Sequence, residues 1–354
     1  MTSIPKFMRA LRLKGAGHVA VENVEVPVVE RGDVLLRVLA AGVCRTDLHI
    51  RHDHSQMFPV GTILGHEIAG EIAQIGGGAG NWSIGDRVVV HPCWACHVCA
   101  QCRAGRENAC QGMGGLRQPP PTPGVSVNGG MAEYVAVPAT ALVAIGDLDP
   151  AVAAVLADAG LTPYHSIRLQ KERLSPGTTA LVVGLGGLGQ FAVQILAQVT
   201  AARIIALDIS DDALALAAGY CDVALRADRT DIVEVVLAQT HGRGVDVVID
   251  LVGTDGSLRL SSAVVAPYGA IQVIGLSGGS MPFESAQSSS VGLPWGATLM
   301  KPYSGSYRDL SEVIELARVG KLNATIQRFS LDEAVSALDE LDAGRIRGRA
   351  VLIP

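Results

Sequence analysis

Of the seven cysteines in this 354-residue chain, Cys93, Cys96, Cys99, Cys102 and Cys110 fall within eighteen residues. The last four read C-x2-C-x2-C-x7-C, and four thiolates on one short lobe can close a tetrahedral shell around Zn2+. A closed shell leaves no position for substrate, so such a site is structural. Cys93 with Cys96, Cys99 and Cys102 forms a rival register, and spacing alone leaves both open. Iron–sulfur ligation uses the same side chain, whereas disulfides are disfavoured in a cytoplasmic chain. Two further pieces stand earlier: Cys44, which follows the apolar run LLRVLAAGV, and His66 in the turn Gly65-His66-Glu67. A thiol and an imidazole on separate loops are what an open zinc site requires. Taken singly they read as a core cysteine and a surface histidine; beside the cysteine lobe they read as ligands. Cys221, alone in the second half, reads as a small buried apolar residue.

A second kind of chemistry is written between Thr179 and Asp208. An apolar run, Ala180 to Val183, breaks at the turn Gly184, Gly186, Gly187, Leu188 and Gly189, continues with helical spacing, and is followed by a β-branched run ending in Asp208. Strand, glycine turn, helix and strand in that order make a dinucleotide site. Gly184 permits the tight turn, Gly186 lets backbone approach a pyrophosphate, and Gly189 lets the helix lie close to the strand. The helix N-terminus then offers free N–H groups and the positive end of its dipole to the phosphates. Asp208, nineteen residues after Gly189, is placed to accept hydrogen bonds from a ribose and to repel a 2′-phosphate, which favours NAD over NADP. No charged residue lies between Thr178 and Arg203, but the glycines and Gln190, Gln194 and Gln198 mark a buried strand and helix and not a membrane span.

These groups need a scaffold to hold them. MRALRL, HVAVENVEVP, DVLLRVLAAGV, MAEYVAVP and ALVAI alternate as strands between frequent turns and predict a β-rich domain. From Pro150 the pattern turns helical, and from Thr179 strands and helices alternate, which predicts a parallel sheet with right-handed crossovers. Helices are expected at Gly189–Val199, Asp211–Ala218, Asp231–Thr240, Ser257–Ala266, Tyr307–Arg318 and Leu331–Asp342. Strands are expected at Arg203–Asp208, Val245–Asp250 and Ala270–Gly275. A closing strand, Arg349–Ile353, is expected to complete the first domain's sheet. The Gly-, Ser- and Pro-rich segment Ser277–Gly296 reads as a loop.

The length predicts two domains. With 49% hydrophobic residues, 41 glycines and few aromatics, alanine, valine and leucine must fill an α/β core. A net charge of −6 without a basic run gives no sign of a nucleic-acid partner. The first fifteen residues, MTSIPKFMRALRLKG, hold no apolar stretch of signal-peptide length, so a cytoplasmic protein, not attached to a membrane, is expected.

The segments GVCRTDLH, LGHEIAGEI, CHVCAQCRAGRENAC, MAEYVAVP, IGDLDP, LADAGLTPYHSI, VVGLGGLGQ and IRGRAVL, in this order, make the chain resemble the zinc-dependent medium-chain alcohol dehydrogenases along essentially its whole length. Within them it is similar to bacterial NAD-dependent secondary alcohol dehydrogenases. The resemblance implies a GroES-like catalytic domain, at 1–157 and 297–354 with a structural zinc lobe at 93–112, and a Rossmann coenzyme domain at 158–296. It implies Cys96, Cys99, Cys102 and Cys110 as the structural zinc set, leaving Cys93 a free thiol. It implies Cys44 and His66 as catalytic zinc ligands, with Asp158 where many relatives carry a cysteine. A carboxylate there keeps the ligand charge and is an ordinary zinc donor. By the same resemblance Glu67 is an acid that exchanges with water at the metal, Asp47 orients His66, and Thr46 and His49 relay a proton. Arg45 and Arg347 hold the pyrophosphate.

The cofactors implied are NAD and two Zn2+, and the reaction is reversible oxidation of a secondary alcohol to a ketone. A polyol or amino-alcohol dehydrogenase, or a non-enzymatic NAD-binding scaffold, is the alternative. A zinc-free quinone or enoyl reductase would lack the Cys44 and His66 pair. Trp94, Trp295 and Tyr303 are candidate walls of the substrate pocket, and Ser304 hints at room for aryl-bearing substrates. The partner is a small alcohol or ketone. A homodimer or homotetramer built on a strand near Ala297–Tyr303 is a further implication of the resemblance.

Overall fold

A computed structural model describes residues 4–55, 57–282 and 292–354. Residues 283–291 of the expected Ser277–Gly296 loop lie outside the described residues. In chain order the first strands are β1 Phe7–Gly15, β2 His18–Glu25, β3 Asp33–Val43, β4 Glu67–Ile75, β5 Arg87–Val90, β6 Tyr134–Pro138 and β7 Leu142–Ala144. They are followed by β8 Thr179–Val183, β9 Arg203–Asp208, β10 Val223–Arg226, β11 Val245–Asp250, β12 Val265–Val273, β13 Thr298–Met300, β14 Ile326–Ser330 and β15 Arg349–Ile353. They fall into two units, one made of Met1–Leu161 with Ser304–Pro354, the other of Thr162–Tyr303.

The division differs from the expected 157/158 and 296/297 for reasons of packing and hydrogen bonding. Residues Leu156–Gly160 form a π-helical turn continuous with the helix Pro150–Val155, which packs on β3 and β4 of the first unit. At the other boundary β13 pairs in parallel with β12, so 297–303 runs with the second unit's sheet.

In the first unit, β3 is the spine of a seven-stranded sheet ordered β14-β15-β3-β4-β5-β7, with β6 also paired to β3. The run DVLLRVLAAGV is apolar on both faces because its neighbours β4, β6 and β15 are all hydrogen-bonded to it and its side chains fill one core with Ile68, Ile72, Val88 and Val90. Register does the positioning. Gly42 pairs with Glu67 and Val43 with Ala350, so the residues just beyond these pairs, Cys44, His66 and Arg349, are brought to one end of the sheet.

The second unit is a six-stranded parallel sheet, β10-β9-β8-β11-β12-β13. Counted from β8, this is the doubly wound order 3-2-1-4-5-6. The helix Gly189–Val199 is buried on all sides over its first eight residues, Gly189 to Leu196, which accounts for its lack of charged residues. Helix 257–266 is displaced from its expected place. The Thr254 hydroxyl accepts from Ser257 N at 3.2 Å and starts the helix at Asp255; it ends at Val264, and Pro267 holds the residue before it extended, so β12 begins at Val265. β4, β5, β10 and β14 were not among the expected strands: β5 and β10 span four residues each, and polar residues interrupt β4 and β14. Among the described residues no helix is long and apolar enough to cross a membrane.

Candidate metal centre and coenzyme turn

Cys44 leaves the end of β3 as the residue before the helix Arg45–Arg51, and His66 lies just before β4. Asp158 is carried on the π-helical turn, a distortion that swings one residue out of a helical ladder and is frequent at functional sites. The ligand atoms of Cys44, His66, Glu67 and Asp158 all lie within 4.8 Å of one another. Asp158 Oδ2 is 3.6 Å from Cys44 Sγ and 3.6 Å from His66 Nε2. Behind the imidazole, fully buried Asp47 accepts from Cys44 N at 2.9 Å through Oδ2, while its Oδ1 faces His66 Nδ1 at 3.8 Å. Thr46 Oγ1 is 3.9 Å from Cys44 Sγ. One turn on, His49 is exposed, as are Arg45 and Arg347.

Glu67 is buried with Arg349, whose Nη2 donates to Oε1 at 2.5 Å and Oε2 at 2.6 Å. The space that Glu67 fills exists because Gly42 has no side chain: a Cβ there would stand 1.8 Å from Glu67 Oε2. Arg349 lies within the segment IRGRAVL, whose family resemblance implies no role for it. The legible signal was a lone cation opening a buried apolar strand, RAVLI.

Burial pushes Glu67 up to about 7, against the pull of Arg349, and Asp158 adds to the rise. Asp47 is raised by burial too, with the His66 ring opposing. At His66 burial works the other way, yet hydrogen bonds with Asp158 and Cys44 and the charge of Asp47 outweigh it and carry the ring well above its ordinary value. All three shifts report one condition: anionic donors packed out of water with too little positive charge. A divalent cation supplies that charge, and a thiolate, an imidazole and a carboxylate suit zinc.

The second cluster is Cys96, Cys99, Cys102 and Cys110. Cys99–Cys102 and Cys96–Cys110 sulfurs are 3.5 Å apart and Cys99–Cys110 4.0 Å. Four sulfurs at ~2.3 Å from a tetrahedral Zn2+ stand roughly 3.8 Å from one another, so the spacing fits. The backbone N–H of Cys102 brings Cys99 down to about 5, a thiolate at neutral pH. Cys93 belongs to neither cluster. It is buried, and burial pushes its thiol up to about 12.

In the second unit Gly184 has φ +89° and donates its N–H to Leu207 O at 2.8 Å. A Cβ on Gly189 would come within 2.0 Å of Gly184 O, whereas one on Gly186 would meet nothing within 4 Å. The turn is thus tight where helix meets strand and open where a phosphate would approach. No side chain caps the helix it opens. Asp208 accepts from Leu185 N at 2.5 Å and Ser210 N at 2.8 Å, which fixes the carboxylate to the turn while leaving lone pairs for a ribose.

Comparison with known proteins agrees with both halves. The description "Alcohol dehydrogenase GroES-like domain" matches residues 30–147 and "Zinc-binding dehydrogenase" matches 187–318. The NAD-dependent alcohol dehydrogenase of Sulfolobus acidocaldarius is 34% identical over 98% of this chain and 99% of its own. This chain belongs to the zinc-dependent medium-chain alcohol dehydrogenase family. Another member, the D-arabinose 1-dehydrogenase (NADP(+)) of Saccharolobus solfataricus, is also 34% identical, over 99% of this chain and 98% of its own. Among solved structures of the family, the alcohol dehydrogenase of Aeropyrum pernix matches with a TM-score of 0.89 at 33% identity, covering 98% and 100% of the two chains. Acetophenone reductase from Geotrichum candidum, solved with NAD, matches at 0.87 and 27%, covering 99% and 98%. The expected fold class, a GroES-like domain with a Rossmann sheet, holds.

Of the three expected pocket aromatics, Trp94 lies in the same unit as the four-donor cluster. Trp94 lines a cavity of about 390 Å3 with Arg12, Asp33, Ile63, Asn128 and Tyr134, and none of the four donors lines it. Trp94 packs on the first unit's core, and its own backbone N–H donates to Pro121 O at 3.0 Å. Trp295 and Tyr303 belong to the second unit and are exposed, 70% and 41%.

Proposed function

We propose that the chain oxidises secondary alcohols to ketones reversibly with NAD. The single observation that carries this reading is the convergence of Asp158 Oδ2 on Cys44 Sγ and His66 Nε2, 3.6 Å from each, with buried Glu67 in the same cluster. Zinc bound there would act as a Lewis acid that makes the alcohol hydroxyl acidic near neutral pH, and NAD bound at the glycine turn would accept the hydride. Cys44, His66 and Asp158 would hold the metal, with Asp47 placed behind the His66 ring to orient it. Thr46, beside the Cys44 sulfur, would accept the hydroxyl proton while giving up its own, and exposed His49, three residues along the same helix, would release a proton to solvent. Asp208 selects NAD by repelling a 2′-phosphate.

The relative that acts on D-arabinose motivates a second reading, a sugar or polyol dehydrogenase with the same metal chemistry. NADH formation across short, long, cyclic and aryl secondary alcohols, polyols and aldoses, with and without a chelator, separates the two. Turnover best on secondary carbinols and abolished by chelation is expected. Turnover confined to aldoses, or indifferent to chelation, would overturn the proposal.

A further inference from the structure

The strand order β10-β9-β8-β11-β12-β13 reverses direction between β8 and β11, and ligands of open α/β sheets lie in the crevice that such a reversal opens at the carboxyl ends of the strands. One wall of that crevice is the Gly184 turn, which follows β8. The other is the segment that follows β11, Leu251 to Gly253, and it is shaped by a side chain outside both the metal centre and the coenzyme turn. Asp250, the last residue of β11, is fully buried. Its Oδ1 accepts from the backbone N–H groups of Val252 and Gly253, each at 2.9 Å. Its main-chain O accepts from Ile274 N at 2.8 Å and Gly275 N at 3.1 Å, so one residue fastens both the chain leaving β11 and the chain leaving β12. Oδ2 is buried and has no hydrogen-bond partner among the described residues.

The fastened segment meets the coenzyme turn. A Cβ on Gly184 would stand 2.6 Å from Val252 Cγ2, so the Val252 side chain fills the space that any side chain at 184 would need. A Cβ on Gly189 would stand 3.4 Å from Leu251 Cδ1, and Leu251 N donates to Val183 O at 2.9 Å. On the β12 side Gly253 takes φ +72°, and a Cβ there would stand 2.2 Å from Gly275 O. Packing therefore confines the segment from two directions, and the Asp250 carboxylate ties down its root. We propose that Asp250 is a positioning residue for the coenzyme: by accepting from Val252 and Gly253 it holds Val252 against the Gly184 turn as the second wall of the crevice. Buried as it is, Asp250 acts through Val252 and does not itself touch the coenzyme.

This inference rests on NAD binding at the Gly184 turn, and NADH titration by fluorescence tells the two apart. A wild type that binds no NADH removes both; wild-type binding that Asp250→Ala leaves intact removes only this one. In the full-length zinc-loaded enzyme, Asp250→Ala is expected to weaken NADH on the order of tenfold, because two backbone donors lose their acceptor. The alcohol KM at saturating NAD and the zinc content should stay within about twofold, since the wall serves the coenzyme. In Asp250→Asn one oxygen still accepts from both N–H groups, and the amide nitrogen replaces only the oxygen that has no partner, so NADH should bind within about threefold of wild type. Val252→Ala, which leaves Asp250 and its bonds in place, should weaken NADH severalfold. Val236→Ala, a truncation in the core of the same unit, is the control: it should lower Tm and leave NADH binding unchanged. NADH binding unchanged in Asp250→Ala, no better in Asp250→Asn than in Asp250→Ala, or weakened as much in Val236→Ala overturns the proposal. If Asp250→Ala does not fold, Val252→Ala decides, and unchanged NADH binding there overturns it.

Discussion

In the cysteine lobe four like donors come from fifteen consecutive residues, Cys96 to Cys110, while Cys44, His66, Glu67 and Asp158 come from three segments spread over 115 residues. Both sets gather their ligand atoms within 4.8 Å. The lobe needs only its own turns to do so. The mixed cluster needs β3, β4, β15 and the π-helical turn in register, together with a glycine, Gly42, that makes room for Glu67. A site that assembles locally can be saturated and inert; one assembled by the whole sheet keeps unlike donors and a position for substrate. The difference predicts that damage to the first is felt as stability and damage to the second as chemistry.

Cys44→Ser breaks the comparison on its catalytic side. Loss of zinc's several kcal/mol of charge stabilisation should cost turnover on the order of 10³-fold or more, with NAD binding by fluorescence titration and lobe zinc unchanged. Cys102→Ser should do the reverse: a Tm lower by on the order of 5–10 °C and faster proteolysis within 93–112, with kcat of the surviving folded enzyme reduced far less. Equal kinetic losses in the two variants would erase the distinction.

Arg349→Met tests whether the mixed cluster depends on the sheet. It leaves Glu67 buried without its cation, a loss of ~3–5 kcal/mol in denaturant unfolding, and Arg349→Met with Glu67→Gln should recover much of it. Asp47→Asn, which removes only the support behind His66, should weaken zinc at the mixed cluster by roughly 10–100-fold and leave the lobe alone.

The smallest effect is one of pH. Without metal, Glu67 ionises at about 7 in the fold against 4.5 outside it, and Asp47 is raised likewise; the unfolded chain gives up these protons first. Folding of the chelated protein therefore loses stability as pH rises from about 4.5 through 7. His66, raised well above 6.5, has the same sign, favouring the fold at low pH and losing that advantage as pH climbs through its folded value. Zinc requires these groups deprotonated, so the rise in Tm on adding zinc should grow between pH 5 and pH 8, and calorimetry in two buffers should show protons released. A zinc-induced Tm shift independent of pH would contradict the account.

The local features were the legible ones. The cysteine lobe, the glycine turn and the helix Gly189–Val199 each carry their pattern within a few residues, and each stands where the spacing placed it. Cys44 and His66 could be suspected from residue type, but nothing in the local sequence brings them together; that is done by the pairing of Gly42 with Glu67. Asp158 was reachable only through family resemblance, since the π-helical turn that presents it has no sequence signature of its own. Arg349 went unassigned because its partner, Glu67, lies hundreds of residues away in the chain. Trp94 was expected at the pocket on residue type alone, and the cavity it lines includes none of the four donors.

The central claim, that a zinc held by Cys44, His66 and Asp158 is required for oxidation of the alcohol by NAD, is tested most directly by removing that metal alone. Brief dialysis against a weak chelator should strip the mixed-donor site before the thiolate-closed lobe, and NADH formation from a secondary alcohol should vanish with it and return when zinc is restored. Undiminished NADH formation after that zinc is gone would contradict the account.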